Sequence, residues 1–335
     1  MEPVLSIGNL TVAFATPQGA LDALRNVSLV VRKGEIVGIV GESGCGKSTL
    51  LNAIMGLLPA NGRIIEGRIA LTGTDLTGLG ERALDAIRGD RMSVVFQDPM
   101  TTLNPVLSIG RQMSDIQYRR QLSAANKKAR SLAMLARVGI PDPAQRMAQY
   151  PHELSGGMRQ RVAIAMAMLA EPELLIADEP TTALDATLEI QIVRLLKELQ
   201  KNTGCSILFI SHHLGLIAEL CDSVAVMYAG EIVERGSVRD IFHRPAHPYT
   251  KRLLDCDPAR IEEPTGRLPT IPGDVPNLVA IPPGCIFTDR CPRAFAPCPG
   301  MKPTQRRVAE GHVAACHLLT ATPLPNDATV ISSRS

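Results

Sequence analysis

Four short apolar runs punctuate the chain, at 36–40, 174–177, 207–210 and 224–227. Each is free of polar side chains and too short for a helix, which is the pattern of a strand buried on both faces of a parallel sheet. Helical periodicity accompanies them. It is clearest over 186–202, where Leu188, Ile192, Leu195, Leu196 and Leu199 share one stripe and Lys197, Glu198 and Lys201 lie off it. Alternating strands and helices predict an α/β core with a mostly parallel sheet. Two further stretches, 4–14 and 67–71, read as edge or antiparallel strands.

Residues 98–158 follow another pattern. After the turn Asn104-Pro105, helical stretches are expected near 107–120 and 124–138, ended by Gly139 and the breakers Pro141 and Pro143. This predicts a helical insertion in the core. Past Tyr249 the composition shifts: 11 prolines fall between Pro258 and Pro303, so long helices cannot form there. A loop-rich appendix needing a staple, or a disordered one, is expected. There is no internal repeat, hence one cassette-sized core and not two.

Composition narrows the function classes. The chain has 335 residues, 45% hydrophobic and 20% charged, with a net charge of +2. That is too near neutral for a protein held to nucleic acid by phosphate contacts. With 3% aromatics and no Trp, a base-stacking platform is also disfavoured. No segment approaches the roughly 18 apolar residues of a membrane helix; the longest, 162–170, follows Arg159 and Arg161 and reads as a buried helix. Met1-Glu2-Pro3 opens no basic-then-apolar leader, so the expected place is the cytoplasm, with any membrane link made through a partner.

The chemistry begins at Gly41-Glu42-Ser43-Gly44-Cys45-Gly46-Lys47-Ser48-Thr49, which fits G-x-x-x-x-G-K-[ST] between an apolar strand and a helical stretch. Glycines let the backbone curl so that its N–H groups converge on phosphate oxygens, and the helix start adds partial positive charge. Lys47 supplies a cation for the β- and γ-phosphates, and Ser48 a ligand for Mg²⁺. A second metal ligand is expected at the end of another apolar strand, where Asp178 stands, with Glu179 directly after it. Glu179 is assigned as the base that orients and deprotonates the attacking water. The alternative is a cap for the segment after Pro180. The base is preferred because two adjacent carboxylates beside a phosphate site are costly without a task.

Leu154-Ser155-Gly156-Gly157-Met158 then places a hydroxyl and two glycines before a helix, a second anion site; the bland reading is an N-cap by Ser155. With this motif the chain closely resembles the ATP-binding-cassette (ABC) ATPases, whose LSGGQ sequence has Met158 here in place of Gln. The resemblance implies a P-loop NTPase (RecA-like) core with an antiparallel β subdomain and a helical subdomain. It implies that Gln97 is the Q-loop glutamine contacting Mg²⁺, Asp185 the D-loop acid, His212 the switch histidine and Phe14 the aromatic against adenine. His213 stands where the family usually has an acid. The resemblance further implies a head-to-tail dimer, with ATP and Mg²⁺ between Lys47 and Asp178 of one subunit and Ser155, Gly156 and Gly157 of the other.

Four of the eight cysteines, Cys285, Cys291, Cys298 and Cys316, crowd the end of the chain. A reducing compartment makes disulfides improbable. The paired C-x-x-C spacing of zinc sites is missing, so spacing leaves metal and free thiols both open. The runs His247-Pro248-Tyr249-Thr250-Lys251-Arg252-Leu253 and Gly284-Cys285 to Arg290-Cys291-Pro292 resemble the C-terminal extension of dipeptide and oligopeptide importer ATPases, and Ile140-Pro141-Asp142-Pro143 and Asp98-Pro99-Met100-Thr101 resemble the same subfamily. That implies a [4Fe–4S] cluster on the four cysteines, a cassette over 1–248 with its helical subdomain at about 98–158, and a cysteine-bearing extension over 249–335. It also implies the partners: a second ATPase subunit in a heterodimer, two membrane permease subunits, an extracytoplasmic solute-binding protein reached indirectly, and no nucleic acid. The expected location is the cytoplasmic face of the inner membrane. Importers of nickel, glutathione or another small solute, and non-transport ABC ATPases, are the competing readings.

Overall fold

The apolar runs are strands, and nearly every side chain on them is buried. The computed structural model describes residues 3–182, 184–257 and 269–319. In chain order the strands are β1 (Pro3–Thr16), β2 (Gly19–Arg32), β3 (Ile36–Val40), β4 (Gly62–Leu71), β5 (Thr74–Asp75), β6 (Met92–Val95), β7 (Leu174–Asp178), β8 (Ser206–Ile210), β9 (Ser223–Tyr228), β10 (Glu231–Ser237), β11 (Gln305–Ala309) and β12 (His312–Ala315). The helices are α1 (Lys47–Met55), α2 (Glu81–Ile87), α3 (Pro99–Thr102), α4 (Ile109–Asp115), α5 (Ala124–Arg137), α6 (Pro143–Arg146), α7 (Gly156–Leu169), α8 (Ala186–Thr203), α9 (Leu214–Leu220), α10 (Val238–His243) and α11 (Pro248–Asp255). They fall into two compact units.

The first unit comprises Met1–Val4, Val31–Ile36 and Leu79–Ile210. Its strands run parallel in the order β8-β7-β6. Burial of Ile192, Val193, Leu195, Leu196 and Leu199 realises the stripe expected of α8, and 162–170 is a buried helix as its sequence implies. Residues 98–158 hold α3 to α6 and no strand. The first of the expected helices, α4, is shorter than the predicted 107–120. The chain turns after it, and the buried Gln117 amide donates to Met113 O, Lys127 O and Ser131 Oγ, fastening that turn to α5.

The second unit comprises Leu5–Val30, Val37–Gly78 and Ser211–Ser335. One sheet has the order β2-β1-β4-β5. Its β1 and β4 are antiparallel, from Leu5 opposite Leu71 to Phe14 opposite Gly62, in keeping with the reading of 4–14 and 67–71. In the other sheet β3 and β9 are parallel. A hairpin through Ala229 and Gly230, both at positive φ (44° and 84°), sends the chain back as β10. The expectation of a loop-rich extension holds for 269–304 and fails for 305–315. There β11 and β12 form a hairpin whose β12 pairs with β10.

A buried polar knot ties this hairpin down. Glu234 on β10 accepts from His312 Nε2 at 2.7 Å, from Ala246 N at 2.6 Å and from His247 N at 2.9 Å. Burial alone raises a carboxyl, but these hydrogen bonds outweigh it and hold Glu234 below its ordinary value. Burial also drops His247 to about 4, leaving Nδ1 unprotonated to accept from Tyr249 N at 3.0 Å and cap α11. Among the described residues no helix is long and apolar enough to cross a membrane. His312→Ala leaves the Glu234 carboxylate buried without its side-chain partner. It is expected to lower unfolding stability by about 3 kcal/mol, read by urea denaturation at neutral pH, and Glu234→Gln in the same chain should recover part of the loss.

Candidate functional site

The glycine-rich loop leaves the carboxyl end of β3 and enters α1. Its first glycine is obligatory: a Cβ on Gly41 would sit 2.1 Å from the carbonyl oxygen of Met227 on β9. Gly46, at φ 108°, is the residue before α1 and would meet Leu24 and the Ala23 carbonyl. From the outer side Gly230 N donates to Cys45 O at 2.9 Å, fastening the loop to the β9–β10 hairpin. Lys47 is buried, its ammonium donating to Gly41 O at 2.8 Å and Glu42 O at 3.1 Å. Ser43, Gly44 and Ser48 are exposed, and Thr49 is half-buried. The curled backbone, the cation and the helix start form an anion cradle. Burial pushes the Cys45 thiol up although Lys47 opposes the shift.

Two other expected residues lie in the same unit. His212 is exposed just past β8, and its neighbour Ser211 donates to Ile39 O on β3 at 3.1 Å. Phe14 is half-buried on β1, with its ring over Gly62, where a Cβ would lie 2.6 Å from the ring. The ring therefore covers a glycine in the sheet.

The remaining residues lie in the first unit, Gln97, Asp178 and Glu179 at or just past the carboxyl ends of parallel strands and the others at helix starts. Asp178 ends β7 and Glu179 follows at φ 45°, a left-handed conformation few side chains adopt. It is held there by its own N–H, which donates to Ile210 O on β8 at 2.9 Å, and Thr182 Oγ1 donates to its carboxylate at 3.1 Å. Gln97 is exposed two residues past β6, the strand paired with β7. Ser155 caps α7, its Oγ accepting from Met158 N at 3.3 Å; Gly156 is exposed, and Gly157 packs against Leu188. Asp185 caps α8, accepting from Thr187 N and Leu188 N at 3.0 Å each. The expected Mg²⁺ ligands Ser48, Gln97 and Asp178 are thus divided between the two units.

The four clustered cysteines all line one pocket with about 290 Å³ of empty space, part of it open to solvent. His247, Phe287 and His317 are among the other residues of its wall. Burial, then the nearby thiols of Cys298 and Cys316, push Cys285 up to about 11. Among the described residues no three His, Cys, Asp or Glu side chains are grouped to hold a metal ion. The sequence runs quoted for the extension contain Tyr249 and Arg290, and neither residue has a predicted role at the glycine-rich loop. The Tyr249 hydroxyl accepts from Glu42 N at 3.0 Å, and Arg290 pairs with the Glu42 carboxylate at 2.8 and 3.0 Å. Their separation along the chain leaves no local signal.

The chain matches family models for the ABC transporter over residues 24–182 and for the oligopeptide/dipeptide transporter C-terminal region over residues 233–298. It is 48% identical over 320 residues to the dipeptide transport ATP-binding protein DppD of Bacillus subtilis, covering 95% of each chain. It is 46% identical over 314 residues to the oligopeptide transport ATP-binding protein OppD of Salmonella typhimurium, covering 93% of each. Among solved structures it resembles the ATP-binding cassette MJ0796 in a dimeric post-hydrolysis state bound to ADP and Pi. The TM-score is 0.63 at 30% identity, over 70% of this chain and 99% of that one. It also resembles cbiO1 of Clostridium perfringens, with a TM-score of 0.64 at 29% identity, over 73% and 92%. A glycine-rich loop after β3, an acid pair at the end of β7 and alignment over 93–95% of the chain with the two peptide-transport ATP-binding proteins lead to one family: the chain belongs to the ABC transporter ATPases.

Proposed function

We propose that this chain binds and hydrolyses ATP to energise an importer of di- or oligopeptides. The observation that carries the reading is the 48% identity to a dipeptide transport ATP-binding protein across 95% of both chains, cassette and extension alike. ATP and Mg²⁺ are the working ligands. The backbone of residues 41–49 and Lys47 hold the phosphates, while Ser48 and Asp178, with Gln97, hold the metal. Glu179 takes the proton of the attacking water, and His212 orients the γ-phosphate. Phe14 supports adenine, and Asp185 sits close to the partner's nucleotide. Ser155, Gly156 and Gly157 of one subunit close over the nucleotide of the other. ATP shuts the dimer and hydrolysis releases it. The strained backbone of Glu179 supports its assignment as base, and the MJ0796 cassette, described as dimeric, supports the sandwich.

The partners follow from the same reading: a second, different ATPase subunit, two permease subunits and, through them, a solute-binding protein. The chain works peripherally on the cytoplasmic face of the membrane. Met100, Val106 and Tyr118 expose apolar side chains in the segment after Gln97, which supports docking of a permease there. The division into a cassette over 1–248 and an extension over 249–335 belongs to this reading too.

The extension holds a [4Fe–4S] cluster on Cys285, Cys291, Cys298 and Cys316. A single tetrahedral ion at about 2.3 Å from each sulfur draws its ligands to within about 4 Å of one another, and no such group exists among the described residues. All four thiols line one pocket, which supports a single shared group on them. When bound, the cluster supplies cross-links between the loops, a staple for a segment with few buried apolar residues.

Glu179→Gln is expected to keep ATP binding while hydrolysis falls by a hundredfold or more, on the order of the general-base contribution; phosphate release against nucleotide binding reads both. Anaerobically purified full-length protein should be brown, with iron and sulfide in equal amounts, and Cys298→Ser should lose both. Colourless protein carrying zinc would refute the cluster. Purification of the tagged chain from membranes should recover two permease chains and a second ATPase, and deletion of the chain should abolish di- or oligopeptide uptake. Recovery with ribosomes instead would overturn the transport reading.

A further inference from the structure

Arg290 belongs to the cysteine-bearing extension, yet its guanidinium ends on the phosphate loop. It is 4% exposed and uses all five of its N–H donors. Nη1 donates to Glu42 Oε2 at 2.8 Å and Nη2 to Glu42 Oε1 at 3.0 Å, a two-pronged pair. Nη1 also donates to the Tyr228 hydroxyl at 3.3 Å, Nη2 to Ile271 O at 3.0 Å and Nε to Pro272 O at 3.1 Å. The Glu42 backbone is held as well, its N–H donating to the Tyr249 hydroxyl at 3.0 Å. Behind these contacts lies a packed aromatic cluster of Tyr228, Tyr249 and Phe287, with ring centroids 4.6 to 5.4 Å apart.

Glu42 is the second residue of the phosphate cradle, and a carboxylate at that place opposes an incoming triphosphate. A guanidinium that grips both oxygens cancels the charge and turns the carboxylate toward the extension. Lys47 Nζ donates to the carbonyl of the same residue at 3.1 Å, so a shift of Glu42 also reaches the loop's own cation. Arg290 rides on a tight turn between two pocket thiols. Thr288 N donates to Cys285 O at 3.0 Å, and Cys291 N donates to Thr288 O at 3.1 Å. The competing reading is a plain staple that fixes the extension without touching nucleotide affinity. The placement of a charge-paired acid inside the cradle argues against it, because a staple needs no carboxylate at a site built for anions.

We propose that Arg290 is a positioning residue of the nucleotide site: by clamping Glu42 it neutralises and orients the phosphate loop, and it makes ATP affinity depend on the C-terminal extension. This deepens the proposed function and rests on the reading of residues 41–49 as the nucleotide cradle.

The test is equilibrium Mg-ATP binding to the full chain, with apo thermal unfolding and near-ultraviolet circular dichroism measured alongside. Arg290→Met should weaken ATP binding by about tenfold, with the loss in the KM for ATP larger than the loss in kcat. Glu42→Gln added to Arg290→Met should restore affinity to within about threefold of the parent, since no charge is then left unpaired. Arg290→Lys keeps the charge but not the fork and should fall between them; it carries the test if the Met variant does not fold. A folded Arg290→Met or Arg290→Lys that binds ATP within about twofold of the parent overturns the inference, as does a double variant that binds no better than Arg290→Met. If the parent chain itself fails to bind ATP, the nucleotide-site reading fails instead, so the two failures are distinguishable.

Discussion

Gly41 passes so close to the carbonyl of Met227 that a single added carbon would overlap the oxygen. The shape of the glycine-rich loop depends on that contact, because it lets the chain leave β3 and turn at once over the end of β9. The loop then closes through short polar links. Gly230 holds Cys45 from the hairpin side, and Lys47 folds back on Gly41 and Glu42. A larger residue at the first position forces the loop outward and scatters the N–H groups that an anion needs together. Five buried strand residues before it and nine helical residues after it serve to hold one bend.

Much of this was legible in the sequence. Uninterrupted apolar runs marked β3, β7, β8 and β9 because strands enclosed on both faces have no polar side to show. The stripe over 186–202 marked α8, although Leu188 proved half-buried, resting on Gly157. β2 escaped because Asp22, the buried Arg25 and the exposed Asn26 interrupt its apolar run. The β11–β12 hairpin escaped for another reason: its strands are five and four residues long and follow a proline-rich stretch whose composition speaks for loops.

For the candidate site, the sequence motifs name the residues and the structure adds what their side chains do locally. Ser155 and Asp185 were read for nucleotide contact, and both side chains also cap helices. The two uses are compatible, since a capped helix start still offers backbone N–H groups to an anion. The left-handed backbone at Glu179 has no sequence signature, because nothing in an Asp-Glu-Pro run requires it; the hydrogen bond to Ile210 imposes it from a neighbouring strand. The Arg290–Glu42 pair joins positions 248 residues apart, beyond any local pattern.

The return of the tail to β10 has a consequence for how the chain tolerates shortening. A strand at the margin of a sheet shows a row of unsatisfied amide groups that invite pairing with other molecules. Here β12 covers part of that row, opposite Glu234 and Arg235. A protein trimmed back to its cassette loses this cover, together with the histidine that answers Glu234. It is left with a bare margin and a buried acid side by side, a combination that favours self-association over solubility.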